Sequence, residues 1–230
     1  MLPNGGVVRE VMLGKNDLEA QSLTLLDAPI TQTYMHATDA GECTLMVGSS
    51  FPDIYQRALP VLESMGRYIF HMGPLGSGHA MKTINNYVIA SGLCALYESL
   101  VAGKKWGLEP QTIVDVLNVG TAVNFCSLDT VRRDMLTREF RSGFALALLV
   151  NDLGITQEFM REVGFETELP GVLRGHLRDA LGVVEKCADH TEAIRGWERR
   201  VGLELKRTVR VDRIREEDFR HRLEGLNRIT

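Results

Sequence analysis

The sequence of 230 residues contains little cysteine and no arrangement typical of a metal site. No two of its cysteines have the spacing of zinc ligands or form part of a dense disulfide framework. The four are Cys43, Cys94, Cys126 and Cys187. We therefore expect reduced, buried thiols and no bound metal. His71 and His79 have no cysteine or carboxylate at ligand spacing, and we expect them to be structural.

The sequence also lacks an excess of positive charge and an uninterrupted long apolar run. Its net charge is -4 and its pI about 5.9, which argues against a surface for nucleic acid or anionic lipid. Its start, "MLPNGGVVREV", has no basic segment followed by an apolar one, so we expect no signal peptide. The most apolar run, "YVIASGLCALYESLVAG", contains Glu98 and predicts a buried helix rather than a membrane span. These features predict a cytoplasmic protein with no nucleic-acid or membrane partner.

What the sequence does contain is a short α/β pattern followed by helices. The composition, 44% hydrophobic and 24% charged, suits one or two domains with a proper core. The run "LTLLDAPI" predicts a buried parallel strand, and "CTLMVGS" and "RYIFHMG" predict two more. Between the last two, "FPDIYQRALPVLESMG" predicts a helix that Pro60 breaks or restarts. Strand, helix and strand in this order form a βαβ unit.

After Gly78 the pattern becomes helical. A helix of about 28 residues is predicted to run to Trp106, where Gly107 ends it, and Pro110 starts the next one. Further apolar periodicity predicts helices in the segments "LDTVRRDML", "FALALLVNDLGITQEFMREVG", "LPGVLRGHLRDALGVVEK" and "DHTEAIRGWERRVGLEL".

The stretch "GPLGSGHAMKTINN" joins the two patterns and carries the strongest functional signal. Lys82 and Asn86 are four residues apart, so they share one face of a helix. Ser77 is placed to cap that helix, and the neighbouring glycines allow close approach of a ligand or another chain segment. The positive end of the helix disfavours the charged form of Lys82, which suits a proton donor or acceptor. The alternative is an ordinary helix start with a solvated lysine.

Four segments of the chain together resemble the β-hydroxyacid dehydrogenases, the group of 3-hydroxyisobutyrate dehydrogenase and 6-phosphogluconate dehydrogenase. In chain order they are "MLPN" with "VVREVMLG", "DAPITQT" with "GECTLMVG", "GPLGSGHAMKTINN", and "FALALLVNDLGITQEFMREVGFETELP". The third is the most specific. The resemblance implies a fold that is mostly helical: an α/β remnant of a Rossmann-type nucleotide-binding domain followed by an all-α domain. We expect the partial nucleotide-binding domain at 1–75, the helical domain at 76–206 and a helical tail at 207–230.

The resemblance also implies roles for particular residues. Lys82 matches the catalytic lysine, a general acid/base that acts on the substrate oxygen. The residues that match substrate contacts are Thr31, Gln32, Thr33, Gly78 and Asn86. Those that match cofactor contacts are Leu2, Pro3 and Asn151. The implied activity is hydride transfer between NAD or NADP and a small β-hydroxyacid, by a homodimer or homotetramer. Asp152 either pairs with Lys82 or caps a turn, and the sequence leaves that choice open.

The chain departs from the family pattern in three places. It contains no G-x-G-x-x-G turn, which holds the cofactor pyrophosphate in Rossmann domains, so we expect an N-terminally truncated member. Gln32 and Thr33 replace two glycines, which suggests a different substrate choice. Asn151 replaces a lysine and would hold an anion less tightly. The alternative to an active dehydrogenase is therefore an oligomerising helical domain with an incomplete cofactor site.

Overall fold

The computed structural model describes residues 24–31 and 43–207, and these fall into two compact units. The first unit contains the described residues up to Lys82, and the second contains those from Thr83 onward. Strands lie in the first unit, whereas the described part of the second consists of helices and their connections. The predicted order, an α/β region followed by a helical one, is confirmed.

The first unit contains a sheet with the strand order β1-β2-β3. Strand β1 is Ile30–Thr31, β2 is Thr44–Gly48 and β3 is Tyr68–Gly73. Strand β2 is the most deeply buried, because its apolar run "LMV" has neighbouring strands on both sides and is almost inaccessible to solvent. It pairs in parallel with β3, Leu45 opposite Ile69, and the register shifts after Val47.

The prediction of a parallel strand at "LTLLDAPI" is wrong. Among the described residues 24–31, the two of β1 form a strand, and they pair with β2 in antiparallel orientation, Ile30 opposite Leu45. Upstream, Asp27 forms an isolated antiparallel bridge with Gly48, with one hydrogen bond in each direction. Pro29 has no N–H to contribute to a ladder, so the segment between the two contacts cannot continue as a regular strand.

Helix α1, Pro52–Glu63, connects β2 to β3 and completes the predicted βαβ unit. Pro52 occupies its first turn, where a missing N–H costs nothing. The helix runs through Pro60 without a break, contrary to the prediction that Pro60 ends or restarts it. Pro60 lies in the last turn of the helix. Its missing N–H therefore removes one hydrogen bond near the end of the helix, and only three helical residues follow it.

Helix α2, Ser77–Trp106, is the long helix predicted from the sequence, and the division between the two units falls within it, after Lys82. Its 30 residues extend about 45 Å at the usual rise. Gly107 follows with a φ of +102°, a conformation that glycine adopts without strain. No helix in the described residues is long and apolar enough to cross a membrane.

The second unit continues with helices of several kinds. They are α3 (Pro110–Val119), a π-helix (Cys126–Met135), α4 (Leu146–Glu162), α5 (Leu169–Leu181), a 3-10 helix (His190–Ala193) and α6 (Ile194–Val201). The segment "LDTVRRDML" is thus helical as predicted, but wider than an α-helix. The central part of α2 supplies Leu93, Tyr97 and Leu100 to the core. Residues of α4, α5 and α6 surround them, among them Leu149, Leu177 and Ile194.

Candidate active site on helix α2

The start of helix α2 is held by a carboxylate from a distant part of the chain. Asp27 Oδ1 accepts a hydrogen bond from the backbone N–H of Gly76 at 2.7 Å, and its Oδ2 accepts one from that of His79 at 2.8 Å. The Nδ1 of His79 lies 2.9 Å from the same Oδ2. These contacts satisfy N–H groups that a helix start leaves without intrahelical partners, and they place a negative charge at its positive end. Asp27, rather than Ser77, is therefore the cap.

Gly78 allows the first turn of α2 to approach strand β2 and Asp27. A Cβ atom here would collide with the carbonyl oxygen of Met46 and lie 2.7 Å from Asp27 Oδ2. The absence of a side chain therefore has a packing reason within the protein itself. The predicted contact between Gly78 and a substrate stays a prediction.

Lys82 and Asn86 lie on helix α2 at the predicted four-residue spacing, and no glycine or proline separates them. The regular helix therefore places both side chains on one face, about one turn apart. Lys82 is half-buried, whereas Asn86 is only 7% exposed. A buried amide must form its hydrogen bonds inside the protein or with a bound ligand.

The amide of Asn86 has two partners in the second unit. Its Nδ2 donates to Asp152 Oδ2 at 2.6 Å, and its Oδ1 accepts from Asn85 Nδ2 at 3.0 Å. Asp152 lies on α4, so the first bond joins two helices through residues that are 66 positions apart in sequence. The two alternatives for Asp152, pairing with Lys82 or capping a turn, both stay predictions.

Two further predicted site residues are described. Thr31 is half-buried and ends strand β1, where it pairs with Thr44. Asn151 is exposed on α4, next to Asp152. The other predicted contacts lie outside the described residues: Leu2, Pro3, Gln32 and Thr33.

The sequence reasoning missed Asp27 altogether, and for Asp152 it missed the contact with Asn86. For Asp27 a signal was present, since an acidic residue inside the apolar run "LLDAPI" requires a partner when the run is buried. For Asp152 the sequence shows only an acid beside Asn151, and its partner on α2 follows from tertiary packing alone.

His71 and His79 both contact other side chains of the first unit. His79 contacts Asp27, as described, and His71 packs on the ring of Tyr55 at 4.6 Å between centroids. Within residues 24–31 and 43–207, no group of three or more His, Cys, Asp or Glu side chains is arranged to hold a metal ion.

Three of the four cysteines are buried as predicted, but Cys187 is exposed. Burial raises the pKa of the Cys94 thiol to about 12, and burial also raises that of Cys126 to about 12. Both thiols therefore stay protonated and unreactive at neutral pH.

A parallel βαβ unit followed by a long helix and further helices defines a class, an α/β unit followed by a helical one. Residues 1–73 match the family model described as the NAD binding domain of 6-phosphogluconate dehydrogenase. Residues 76–197, more than half of the chain, match the model described as NAD-binding of NADP-dependent 3-hydroxyisobutyrate dehydrogenase. The chain belongs to the β-hydroxyacid dehydrogenase family, and the cofactor class of both models is NAD or NADP.

Individual relatives agree with this assignment. The chain is 25% identical over 232 residues to 2-(hydroxymethyl)glutarate dehydrogenase of Eubacterium barkeri, covering 89% of this chain and 76% of that protein. It is 34% identical over 156 residues to an uncharacterised oxidoreductase of Synechocystis, covering 68% of this chain and 51% of that protein. It thus spans about half to three quarters of the length of these relatives.

Solved structures show the same architecture. A 3-hydroxyisobutyrate dehydrogenase of Mycobacterium tuberculosis, solved with L-serine, superposes with a TM-score of 0.69 at 28% identity. That alignment covers 82% of this chain and 65% of that one. A 3-hydroxyisobutyrate dehydrogenase of Salmonella typhimurium gives a TM-score of 0.67 at 20% identity, covering 78% of this chain and 62% of that one, and supports the fold alone.

Proposed function

We propose that the protein is an NAD(P)-dependent oxidoreductase of the 3-hydroxyisobutyrate dehydrogenase type, acting on a small β-hydroxyacid. One observation carries the proposal: Lys82 and the buried Asn86 lie one turn apart on the unbroken helix α2. Family membership supports it, because the segment that contains both residues also carries the match to the dehydrogenase family.

The proposed chemistry is a proton transfer at Lys82. A bound nicotinamide would accept or donate the hydride. During oxidation, the neutral Lys82 amine takes the proton of the substrate hydroxyl, and during reduction the Lys82 ammonium returns a proton to the carbonyl oxygen. The amide of Asn86 hydrogen-bonds the substrate, and Thr31, Gln32, Thr33 and Gly78 complete the proposed substrate contacts.

Asn151 is the described residue that tests whether this chain suits the cofactor. Its exposed amide can donate and accept hydrogen bonds but carries no charge. It therefore fits the neutral parts of a dinucleotide, the ribose hydroxyls or the carboxamide, better than the phosphates. Leu2 and Pro3 are the other proposed cofactor contacts.

The proposed function implies a domain division and a cellular location. We place a partial nucleotide-binding domain at 1–75, the helical dehydrogenase domain at 76–206 and a tail at 207–230. The proposed location is the cytoplasm.

A second candidate function is assembly of the helical domain without turnover. Ile84 is 41% and Val88 61% exposed, and their four-residue spacing puts both on one face of α2. Burial of such a face favours a homodimer or homotetramer. Sedimentation of the wild type and of Val88→Asp tests it: assembly lost in the variant supports this interface, and a monomeric wild type contradicts it.

The experiment for the proposed function is a titration with NADH and NADPH, followed by turnover of small hydroxyacids. We expect saturable binding of at least one cofactor and a loss of turnover of about 100-fold or more in Lys82→Ala. Lys105→Ala, an exposed lysine on the same helix, is the matched control and should keep its turnover. Absence of cofactor binding at millimolar concentration, or full activity of Lys82→Ala, contradicts the proposal.

A further inference from the structure

The carboxylate of Asp152 determines which way the amide of Asn86 points. An ionised carboxylate accepts hydrogen bonds but cannot donate them, so the edge of Asn86 that faces Asp152 must be its NH₂. The oxygen then faces Asn85, whose own NH₂ donates to it at 3.0 Å. With the amide turned over, its oxygen would face the carboxylate and its NH₂ would face another NH₂. The contact with the carboxylate would then be repulsive, and so would the contact with Asn85 in its present orientation.

The backbone around Asp152 is itself held in place. Leu149 and Leu153 on the same helix are completely buried in the core of the second unit. One turn further on, the hydroxyl of Thr156 donates to the carbonyl oxygen of Asp152 at 2.9 Å. The carboxylate therefore projects from a segment that cannot shift without disturbing the core.

The two bonds leave part of the Asn86 amide unused. A primary amide offers two N–H groups and two oxygen lone pairs, and the contacts with Asp152 and Asn85 use one of each. A substrate next to Asn86 would thus meet one N–H and one lone pair in fixed directions. Because the amide is buried, water cannot replace its two partners, and turning the amide over would cost the hydrogen bonds with both.

We propose that Asp152 is a positioning residue, which orients the amide of Asn86 toward the substrate through the hydrogen bond between Asp152 Oδ2 and Asn86 Nδ2. The role in turnover rests on the proposed dehydrogenase function. The orientation of the amide is independent of it and can be measured in the protein without substrate.

The first test is the side-chain ¹H–¹⁵N resonance of Asn86 in the full chain, assigned by its loss in Asn86→Ala. In the wild type we expect a downfield proton that exchanges slowly with water, in contrast to the exposed amide of Asn151 in the same spectrum. Asp152→Asn removes the charge at nearly constant shape, so this proton should move upfield and exchange faster. The control Glu158→Gln removes an exposed carboxylate from the same helix and should leave the resonance unchanged.

The second test is turnover of the same variants. We expect kcat/KM of Asp152→Asn to fall about tenfold, with an unchanged Tm, and Asp152→Glu to recover part of the loss. A wild-type Asn86 resonance in Asp152→Asn would overturn the proposal, and so would a wild-type kcat/KM of that variant. If that variant does not fold, the wild-type spectrum decides: exchange of the Asn86 amide as fast as that of Asn151 would overturn it.

The two tests also distinguish the failure of this inference from the failure of the proposed dehydrogenase function. A wild type without turnover on any hydroxyacid contradicts the dehydrogenase assignment, and the Asn86 resonance then decides the orienting role of Asp152 by itself. An active wild type with a normal Asn86 resonance in Asp152→Asn supports the dehydrogenase assignment and overturns the inference.

Discussion

The two units of this protein are stabilised by different means. In the first, Asp27 holds the start of helix α2 through hydrogen bonds, and Gly78 allows the backbones to approach closely. In the second, a broad apolar core surrounds the middle of the same helix. Directional bonds fix positions to within a few tenths of an ångström, whereas apolar burial supplies most of the free energy of folding. One helix can therefore be positioned precisely at its start and stabilised mainly along its middle.

The largest expected effect comes from the apolar core. Leu100 is completely buried on helix α2, so Leu100→Ala should lower the free energy of unfolding by about 2–5 kcal/mol through lost burial and a residual cavity. Leu108, which is 50% exposed, is the matched control, and Leu108→Ala should cost less than about 1 kcal/mol. Urea unfolding measures both changes, and equal losses would contradict the described core.

A smaller effect is expected from the polar contact in the first unit. Asp27→Ala removes the acceptor of the Gly76 and His79 amides and should cost about 1–3 kcal/mol. Hydrogen exchange of these two amides should accelerate, while exchange in the middle of α2 should change little. Glu63→Ala removes an exposed acid in the same unit and serves as the control. Unchanged protection of both amides in Asp27→Ala would show that Asp27 is not the cap.

The stability of the second unit should depend on pH through its buried histidine, His190. Burial lowers the pKa of His190, although Asp189, a backbone hydrogen bond to Phe144 and Asp134 act in the opposite direction. The unfolded chain then binds a proton that the folded chain resists. Stability is therefore complete above the unfolded pKa of about 6.5 and falls as the pH decreases below it.

Below that pKa, the free energy of unfolding should fall by up to about 1.4 kcal/mol per pH unit, until the folded protein also takes up the proton on His190. Urea unfolding at several values between pH 8 and pH 5 measures it. His190→Asn should remove this part of the slope, and a variant with the full wild-type slope would assign the effect to another group.

The smallest expected effects come from two glycines of the second unit. Gly202 follows helix α6 with a φ of +65°, so Gly202→Ala should cost about 1 kcal/mol. Gly175 lies inside α5, and a Cβ there would meet nothing within 4 Å. Gly175→Ala should therefore stabilise the protein by about 0.5–1 kcal/mol. The Tm should therefore fall in Gly202→Ala and rise in Gly175→Ala. A rise in both variants would contradict the backbone geometry at Gly202.

The sequence by itself determined the order of the elements and the main candidate residues. Helix α2 follows from a long apolar pattern that ends at Gly107, and the βαβ unit follows from two apolar runs around "PDIYQRALPVLE". The spacing of Lys82 and Asn86 placed both on one helical face. These predictions succeed because they depend on local periodicity and turn chemistry, which a short segment carries within itself.

Only the tertiary structure decided which distant groups meet. The pairing of β1 with β2, the cap that Asp27 provides to α2 and the bond that Asn86 donates to Asp152 each join segments far apart in sequence. A carboxylate can accept a hydrogen bond from any nearby donor, so the presence of an aspartate in the sequence does not reveal which donor it will contact. The contact depends on how the chain packs, because burial brings the partners together and makes a buried polar group without a partner costly.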